Sequence, residues 1–229
     1  MIMVRFGALL IGYLFGLIQT SYIYGKLKGI DIRSYGSGNA GTTNTLRVLG
    51  ARAGMIVLLG DILKCVVAIV LVRALFSGNY GDMKYLLAMY AAAGVILGHN
   101  FPFYLHFKGG KGVAATAGLV FAFHPYLLPL EVVLFLGIFF TTHYVSLASL
   151  TSYAVYFLQI VVAGQLGLFG MTQAHLIELY VLTGLLTALA FWKHRENIGR
   201  LLRHEERKTY LTKKNKEALS SEKENAERK

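Results

Sequence analysis

A glycine-rich stretch with small polar side chains and one arginine lies at residues 36–47 and has the composition of an anion-binding loop. Its first six residues, Gly36-Ser37-Gly38-Asn39-Ala40-Gly41, have the GxGxxG spacing of a dinucleotide-binding loop. That motif needs a strand before it and an acid about 20 residues later at a strand end. Here the stretch lies between two apolar runs. We therefore exclude NAD and predict that backbone N–H groups and Arg47 bind phosphate.

Two further segments carry groups that suit phosphate. The second is Gly98-His99-Asn100-Phe101-Pro102 followed by Phe107-Lys108-Gly109-Gly110-Lys111-Gly112. It is no Walker A loop, because neither Ser nor Thr follows the lysine, yet two lysines around a Gly-Gly pair favour phosphate capture. In the third segment, His194 and Asn197 are three residues apart and share a helix face. Three such segments predict one site for one or two phosphorylated ligands.

The composition indicates that a membrane positions these segments. The chain has 229 residues, of which 55% are hydrophobic and only 15% are charged. Between Lys111 and Lys193 the only formal charges are Glu131 and Glu178. A stretch that long has too little polar surface to face water, which predicts a polytopic helical membrane protein. The net charge of +11 is interpreted as the cytoplasmic excess of Lys and Arg rather than as a nucleic-acid surface.

The apolar runs predict seven transmembrane helices in an all-α fold. The first three lie at about 6–24, 53–76 and 85–98, and 113–192 is long enough for four more. The expected breaks in that last stretch are His124-Pro125, Thr141–Ser149 and Gly164–Gln173. We expect the first run to be an uncleaved helix, since no small-x-small cleavage site precedes Gln19.

Seven spans place all three polar segments on one membrane face. That face carries the lysines and arginines of the loops, so the positive-inside rule predicts that it is cytoplasmic, with the N-terminus outside and the C-terminus inside. We expect residues 1–204 to form the membrane domain. Residues 205–229 are rich in Lys and Glu and are expected to form a charged, disordered cytoplasmic tail.

Three residues outside the loops are expected to lie in the protein interior. Cys65 is the only cysteine, which excludes an internal disulfide and any multi-cysteine metal site, and it is expected to pack as a small apolar residue. Asp61 and Lys64 are three apart within the second apolar run and are expected to pair with each other. A structural role for the pair is the first expectation, although charges inside a membrane are commonly functional.

Taken together, the segments resemble one family over residues 5–208. Ser21, Asp31-Ile32-Arg33, the first loop, the second loop, Tyr144-Val145-Ser146-Leu147-Ala148-Ser149 and His194-Arg195-x-Asn197-Ile198-x-Arg200-Leu201-Leu202 follow in order. This pattern is similar to that of the bacterial acyl-phosphate:glycerol-3-phosphate acyltransferases, the PlsY family. One departure is His204, which stands where a glycine is common in the family, before Glu206.

The resemblance implies transfer of a fatty acyl group from acyl phosphate to the sn-1 hydroxyl of glycerol 3-phosphate, giving lysophosphatidate and phosphate in a bacterial inner membrane. It implies catalytic roles for four residues: Ser37, Arg47, His194 and Asn197. Substrate and phosphate binding is expected from Gly38, Asn39, Thr43, Asn44, His99, Lys108, Gly109, Gly110, Lys111 and Ser146. Neither a cofactor nor a metal is expected.

The residues leave the proton acceptor open. A His-x-x-x-x-Asp motif is absent, because no aspartate follows Asp82 and all seven histidines do. We expect direct attack of the glycerol hydroxyl on the acyl carbonyl, with either His194 or a substrate phosphate accepting the proton. Ser37, Asn197 or backbone N–H groups are candidates for the oxyanion.

The alternative function is transport of a phosphorylated solute. A transporter would share the phosphate loops but would be expected to show two repeats with interrupted helices. We find no convincing internal repeat. The expected partners are glycerol 3-phosphate, fatty acyl phosphate and membrane lipid, without nucleic acid, and the sequence is compatible with a monomer.

Overall fold

The computed structural model describes residues 1–76 and 78–211, and within those ranges the regular structure is entirely helical. Short 3-10 turns lie at Ile32–Ser34, Gly81–Met83, Phe103–Leu105 and Pro125–Leu127. The α-helices in chain order are α1 Ile2–Gly16, α2 Thr20–Leu27, α3 Thr42–Leu49, α4 Ala51–Phe76, α5 Lys84–Asn100, α6 Val113–Phe123, α7 Leu128–Thr142, α8 Val145–Gln165, α9 Gln173–Lys193 and α10 Arg195–Leu202.

The predicted membrane architecture is confirmed. Among the described residues, six helical stretches are long and apolar enough to cross a membrane, and α6 is a shorter apolar helix. The breaks expected near His124-Pro125, Thr141–Ser149 and Gly164–Gln173 separate α6, α7, α8 and α9. With 11 residues, α6 extends over roughly 16 Å, about half the hydrocarbon thickness of a bilayer.

The first apolar run is interrupted where a single helix was expected. It consists of α1 and α2, separated by residues 17–19. Gln19 is fully buried at this break, and its Nε2 donates to the carbonyls of Gly98 at 3.3 Å and His99 at 2.9 Å. The amide therefore ties the break in the first run to the end of α5, because buried polar groups require partners.

Close packing of α1 on α5 fixes the position of that helix end. Gly12 and Gly16 on α1 face Gly94 and Gly98 on α5, two pairs with the spacing of small-residue packing motifs in membranes. A Cβ on Gly12 would overlap the carbonyl of Ala91, and a Cβ on Gly16 would lie 2.8 Å from the Cα of Gly98. Backbones in direct contact give this helix pair little freedom to shift.

The small interior residues of α4 have a similar role. Cys65 is buried without a disulfide, as expected, and a Cβ on Gly118 of α6 would lie only 2.8 Å from its Cβ. The short helix α6 therefore packs directly on α4, which holds the beginning of α6 beside the second loop.

The chain after α10 returns to the helices. Glu206 and Thr209 are buried, and the backbone N–H of Thr209 donates to the carbonyl of His143 at 2.8 Å. The tail was expected to begin at residue 205, but residues 205–210 contact the helical body through this bond and through side chains described below. Residues 212–229, the remainder of the expected tail, lie outside the described residues.

Candidate active site

The second loop folds back against the end of α5. The backbone N–H groups of Gly109 and Gly110 donate to the carbonyls of Asn100 and His99 at 3.2 and 3.1 Å. A Cβ on Gly110 would overlap His99 Nε2 and lie 2.6 Å from the carbonyl oxygen of Ala40. Two N–H groups expected to bind phosphate are thus used inside the protein, and the glycines serve close packing.

The two lysines of this loop have different environments. Lys108 is exposed, whereas the Lys111 Nζ donates to the side-chain Oδ1 of Asn197. Burial and the nearby Arg200 cation lower the pKa of Lys111 to about 8. Lys111 joins the second and third predicted segments and is positioned to meet a phosphate that approaches their junction.

The first loop is shaped by Asn44. Its Oδ1 accepts from the Ser37 N–H at 2.8 Å, and its Nδ2 donates to the carbonyls of Ile32 and Tyr35 at 3.1 and 3.0 Å. All of these bonds are to the backbone, so Asn44 organises the loop and its amide is not directed at a phosphate. Gly36 and Gly38 have positive φ values of 61° and 69° in the turn that Asn44 supports.

Ser37 lies exposed on this turn. Among the described residues, none makes a hydrogen bond with its hydroxyl, which leaves its predicted contact with substrate a prediction. Asn39 and Thr43 are half-buried beside it. The backbone of Ala40 brings the first loop against Gly110 of the second, so the two loops meet as expected.

A carboxylate that the sequence did not indicate as a site residue organises the third segment. Glu206 Oε1 accepts from Ser146 Oγ at 2.9 Å and from Asn197 Nδ2 at 2.6 Å, and its Oε2 accepts from Arg200 Nε at 2.7 Å. Ser146, Asn197 and Glu206 are all buried. Ser146 and Asn197, predicted for substrate binding and catalysis, are therefore brought together by Glu206.

His194 is held at the start of α10 in one tautomer. Its Nδ1 lies 2.8 Å from the carbonyl of Ala190, and since a carbonyl only accepts, Nδ1 carries the proton and Nε2 is the basic nitrogen. Burial, with a smaller contribution from the Lys111 cation, lowers the pKa of His194 to about 4. At neutral pH the ring is uncharged and is a weak base.

Arg47 links the first loop to the C-terminal segment. Its Nη2 donates to the carbonyl of Arg207 at 3.1 Å and to Thr209 Oγ1 at 2.8 Å. The guanidinium is partly exposed. Three of the four predicted catalytic residues, Arg47, His194 and Asn197, thus lie in the third segment or contact the residues after it. Ser37 does not.

Residues that the sequence analysis did not assign to the site complete its surroundings. Glu206 was placed in the expected tail, and nothing in the local pattern distinguishes it from the other tail acids. Gln19 stands in the sequence only as a polar residue at the end of an apolar run. Asp61 and Lys64 form the expected ion pair at 2.7 Å, and Lys64 also contacts His99. In the sequence, the feature that indicates a role for them is their charge inside an apolar run.

Comparison with known proteins gives a consistent result. Residues 6–204 match the family described as glycerol-3-phosphate acyltransferase. A glycerol-3-phosphate acyltransferase of Halalkalibacterium halodurans is 43% identical over 199 residues, 86% of this chain and 91% of that protein. One of Clostridioides difficile is 41% identical over 201 residues, 86% of this chain and 92% of that protein.

Two solved structures are similar over nearly the whole chain. A crystal structure of PlsY (YgiH), an integral membrane glycerol 3-phosphate acyltransferase, in its glycerol 3-phosphate form has a TM-score of 0.77 at 34% identity, covering 90% of this chain and 96% of that chain. The lysophosphatidic acid form of the same protein gives a TM-score of 0.75 with the same identity and coverage. These similarities do not support the alternative of a phosphorylated-solute transporter.

Proposed function

We propose, from the premise that this chain belongs to the glycerol-3-phosphate acyltransferase family, that it takes its acyl group from a fatty acyl phosphate. The acceptor is the sn-1 hydroxyl of glycerol 3-phosphate, and the products are lysophosphatidate and inorganic phosphate. The observation that carries this proposal is the junction of the two glycine-rich loops and the third segment. There, Lys111 of the second loop contacts Asn197 of the third segment, and Ala40 of the first loop packs against Gly110.

The phosphate of glycerol 3-phosphate is assigned to the second loop and its neighbours. His99, Lys108 and Lys111 provide donors there, and Gly109 and Gly110 let the loop approach His99. Arg47 is assigned to the phosphate of the acyl donor, because a guanidinium offers paired donors to phosphate oxygens. Gly38, Asn39, Thr43 and Ser146 remain proposed as further contacts, and Asn44 as the residue that keeps the first loop in shape.

The acyl chain is assigned to a groove between α1 and α5. The groove has a volume of about 360 Å³, within the range of small-molecule sites. Its walls include Leu9, Leu10, Tyr13, Gly94, Phe101 and Phe107. At one end, Lys193 Nζ lies 5.0 Å from the centre of the Phe101 ring, next to His194. An apolar chain in the groove would thus place its phosphorylated head near the loops.

The reaction then requires a proton acceptor and an oxyanion site. The sn-1 oxygen attacks the acyl carbonyl carbon, the carbon–phosphate oxygen bond breaks, and the electron pair leaves with phosphate. A phosphate oxygen with a second pKa of about 6 is a stronger base than His194 with its pKa of about 4. We assign the proton to the substrate phosphate and an orienting hydrogen bond to His194. Ser37, Asn197 or backbone N–H groups would stabilise the oxyanion.

The protein crosses its membrane several times. We further propose that this is the bacterial inner membrane, with the N-terminus outside and the C-terminus in the cytoplasm. Lys26, Lys28 and Arg33, which precede the first loop, support this orientation by the positive-inside rule, together with Lys108 and Lys111 of the second loop.

The proposed organisation is a membrane domain followed by a cytoplasmic tail. Because Glu206 and Thr209 are buried against the helices, the domain extends past the expected boundary at residue 204. The protein is further proposed to act as a monomer surrounded by membrane lipid.

One assay tests the donor. Purified protein in detergent receives glycerol 3-phosphate with either palmitoyl phosphate or palmitoyl-CoA, and lysophosphatidate and released phosphate are measured. We expect product with palmitoyl phosphate alone. Product with palmitoyl-CoA alone would contradict the proposed donor while leaving the family assignment intact. Arg47→Gln should raise the KM for palmitoyl phosphate more than the KM for glycerol 3-phosphate, and the reverse order would contradict its assignment.

A further inference from the structure

A buried charged pair on α4 contacts the histidine at the end of α5. Asp61 and Lys64 have side chains that are 1% and 3% exposed, and Lys64 Nζ lies 2.7 Å from Asp61 Oδ1. Lys64 Nζ also lies 2.9 Å from His99 Nδ1. Desolvating two charges is costly, and many buried ion pairs could be replaced by apolar residues without loss of stability. Stabilisation of the fold is therefore a weak explanation for an ion pair at this position.

The contacts of Lys64 account for all of its donors. One N–H group meets Asp61, one donates to the carbonyl of Ile18 at 2.8 Å, and one meets His99 Nδ1. Asp61 Oδ1 additionally accepts from Thr20 Oγ1 at 3.0 Å. An ammonium group has three donors and no acceptor, so the lysine is saturated.

This arrangement fixes the tautomer of His99. Because an ammonium group only donates, the Nδ1 that faces it must be the acceptor, and the ring proton is on Nε2. The carbonyl of the same residue accepts from Gln19 Nε2 at 2.9 Å and from the Gly110 N–H at 3.1 Å. Both the ring and the backbone of His99 are therefore held.

The protonated nitrogen lies where the two glycine-rich loops meet. Nε2 faces Gly110 so closely that a Cβ there would overlap it, and the carbonyl of Ala40 lies beside the same point. The charged groups facing His99 are Asp61 and Lys64 from α4 and Lys193 from α9. Nε2 is thus the only ring nitrogen of His99 that faces the loops.

We propose that Asp61 and Lys64 are positioning residues, which keep His99 neutral and aim its Nε2–H at a phosphate oxygen of glycerol 3-phosphate. His99 is then a hydrogen-bond donor to substrate, and it is neither a base nor a cation in the reaction. Asp61 keeps Lys64 in place and compensates its charge. The inference rests on the proposed function for the identity of the phosphate. The predicted tautomer of His99 can be tested without measuring enzyme activity.

The first test is spectroscopic. Protein labelled with ¹⁵N-histidine is studied by NMR, and the His99→Asn variant identifies the His99 signals. We expect an unprotonated Nδ1 and a protonated Nε2. In Lys64→Met the donor is gone, while Asp61 Oδ1, at 3.7 Å from Nδ1, can accept from it, so Nδ1 should become protonated. A protonated Nδ1 in the unaltered protein would overturn the proposal.

The second test compares two double variants of equal charge. Asp61→Leu with Lys64→Gln keeps a donor for Nδ1, whereas Asp61→Leu with Lys64→Met leaves no donor at either position. We expect the KM for glycerol 3-phosphate to rise about tenfold in the Met variant, equivalent to one hydrogen bond. It should stay within about threefold in the Gln variant. The KM for the acyl donor should change little in either. Equal KM values for glycerol 3-phosphate would overturn the proposal.

A matched pair at another position controls for loss of an ion pair as such. Arg5 Nε and Glu178 Oε1 are 2.5 Å apart and join α1 to α9. The double variant Arg5→Met with Glu178→Gln should leave the His99 signals and the KM for glycerol 3-phosphate unchanged.

If the Met variants do not fold, the NMR result on the unaltered protein still decides the tautomer. Glycerol 3-phosphate binding by calorimetry separates the two proposals. Binding without transfer from palmitoyl phosphate would contradict the proposed donor and leave this inference standing. Absence of any perturbation of the His99 Nε2 signal on binding would overturn the inference alone.

Discussion

In the first glycine-rich loop, Gly38 has a φ of 69°, and the nearest atom to a Cβ there would be the Arg33 carbonyl oxygen at 3.3 Å. In the second loop, Gly110 lies outside the positive-φ region, but a Cβ would overlap His99 and lie only 2.6 Å from the Ala40 carbonyl oxygen. Position 38 needs glycine for a backbone conformation, and position 110 needs it for space. Similar sequences therefore have different physical requirements.

The largest effect is expected for Gly110→Ala. The added methyl group must displace His99 or the first loop, and a displacement of about 1 Å at a reacting centre can cost about a hundredfold in rate. We expect at least that loss in initial rate with glycerol 3-phosphate and palmitoyl phosphate. The control is Gly137→Ala on α7, where a Cβ meets nothing within 4 Å. Comparable rates for the two variants would refute the space requirement.

The second effect uses the burial of Lys111. Its pKa of about 8 lies below its ordinary value, so the phosphate-binding cation is lost as pH rises through about 8. We expect kcat/KM for glycerol 3-phosphate to decline above that pH. Lys111→Arg should be slower at neutral pH but should lack this decline, because arginine stays charged. Lys108→Arg should retain the decline above a pH of about 8. If the decline disappeared in Lys108→Arg, Lys108 and not Lys111 would be the titrating group.

A smaller effect is expected for Gly38→Ala. Left-handed backbone costs a residue with a Cβ roughly 1–2 kcal/mol, while space is adequate here. We expect a loss of about fivefold to thirtyfold in rate. Gly38→Asn should be closer to the unaltered enzyme, since asparagine tolerates this conformation. At Gly110 the same pair of substitutions should be equally inactive. An asparagine variant worse than the alanine variant at Gly38 would contradict the conformational argument.

The smallest effect concerns a position where the same conformation is occupied by histidine. His204 has a φ of 57°, and it stands where a glycine is common in the resembling family. We expect His204→Gly to relieve strain and raise the free energy of unfolding by up to about 1 kcal/mol, since glycine's greater chain entropy offsets part of the gain. Thermal unfolding in detergent measures this. A lower midpoint temperature would show that His204 makes a compensating contact.

Most of the fold could be predicted from sequence because a membrane imposes a local requirement. Each spanning helix must satisfy its own backbone and present apolar side chains over its length, so the run Ala51–Phe76 is recognisable by itself. The break between α1 and α2 could not be predicted in this way. It depends on Gln19 finding the carbonyls of residues about 80 positions away in the sequence.

The residues of the site also fall into those that local sequence predicts and those that it does not. The loops and the pair His194 and Asn197 were indicated by residue types at short spacing. Glu206 was not, because its bond to Ser146 joins residues 60 apart, and its bonds to Asn197 and Arg200 depend on how the chain turns after α10. The link between Arg47 and Thr209 spans 162 positions. Such contacts follow from tertiary packing and leave no local pattern.

The position of Glu206 after α10, the last described helix, has a consequence for biosynthesis. A chain is made from its N-terminus, and its parts fold in that order. The earlier helices and both glycine-rich loops can enter the membrane before the residues that join Ser146, Asn197 and Arg47 have been made. The site therefore becomes complete only after every described helix has been made, and chains that stop before Glu206 can be inserted in the membrane without being able to modify its lipids.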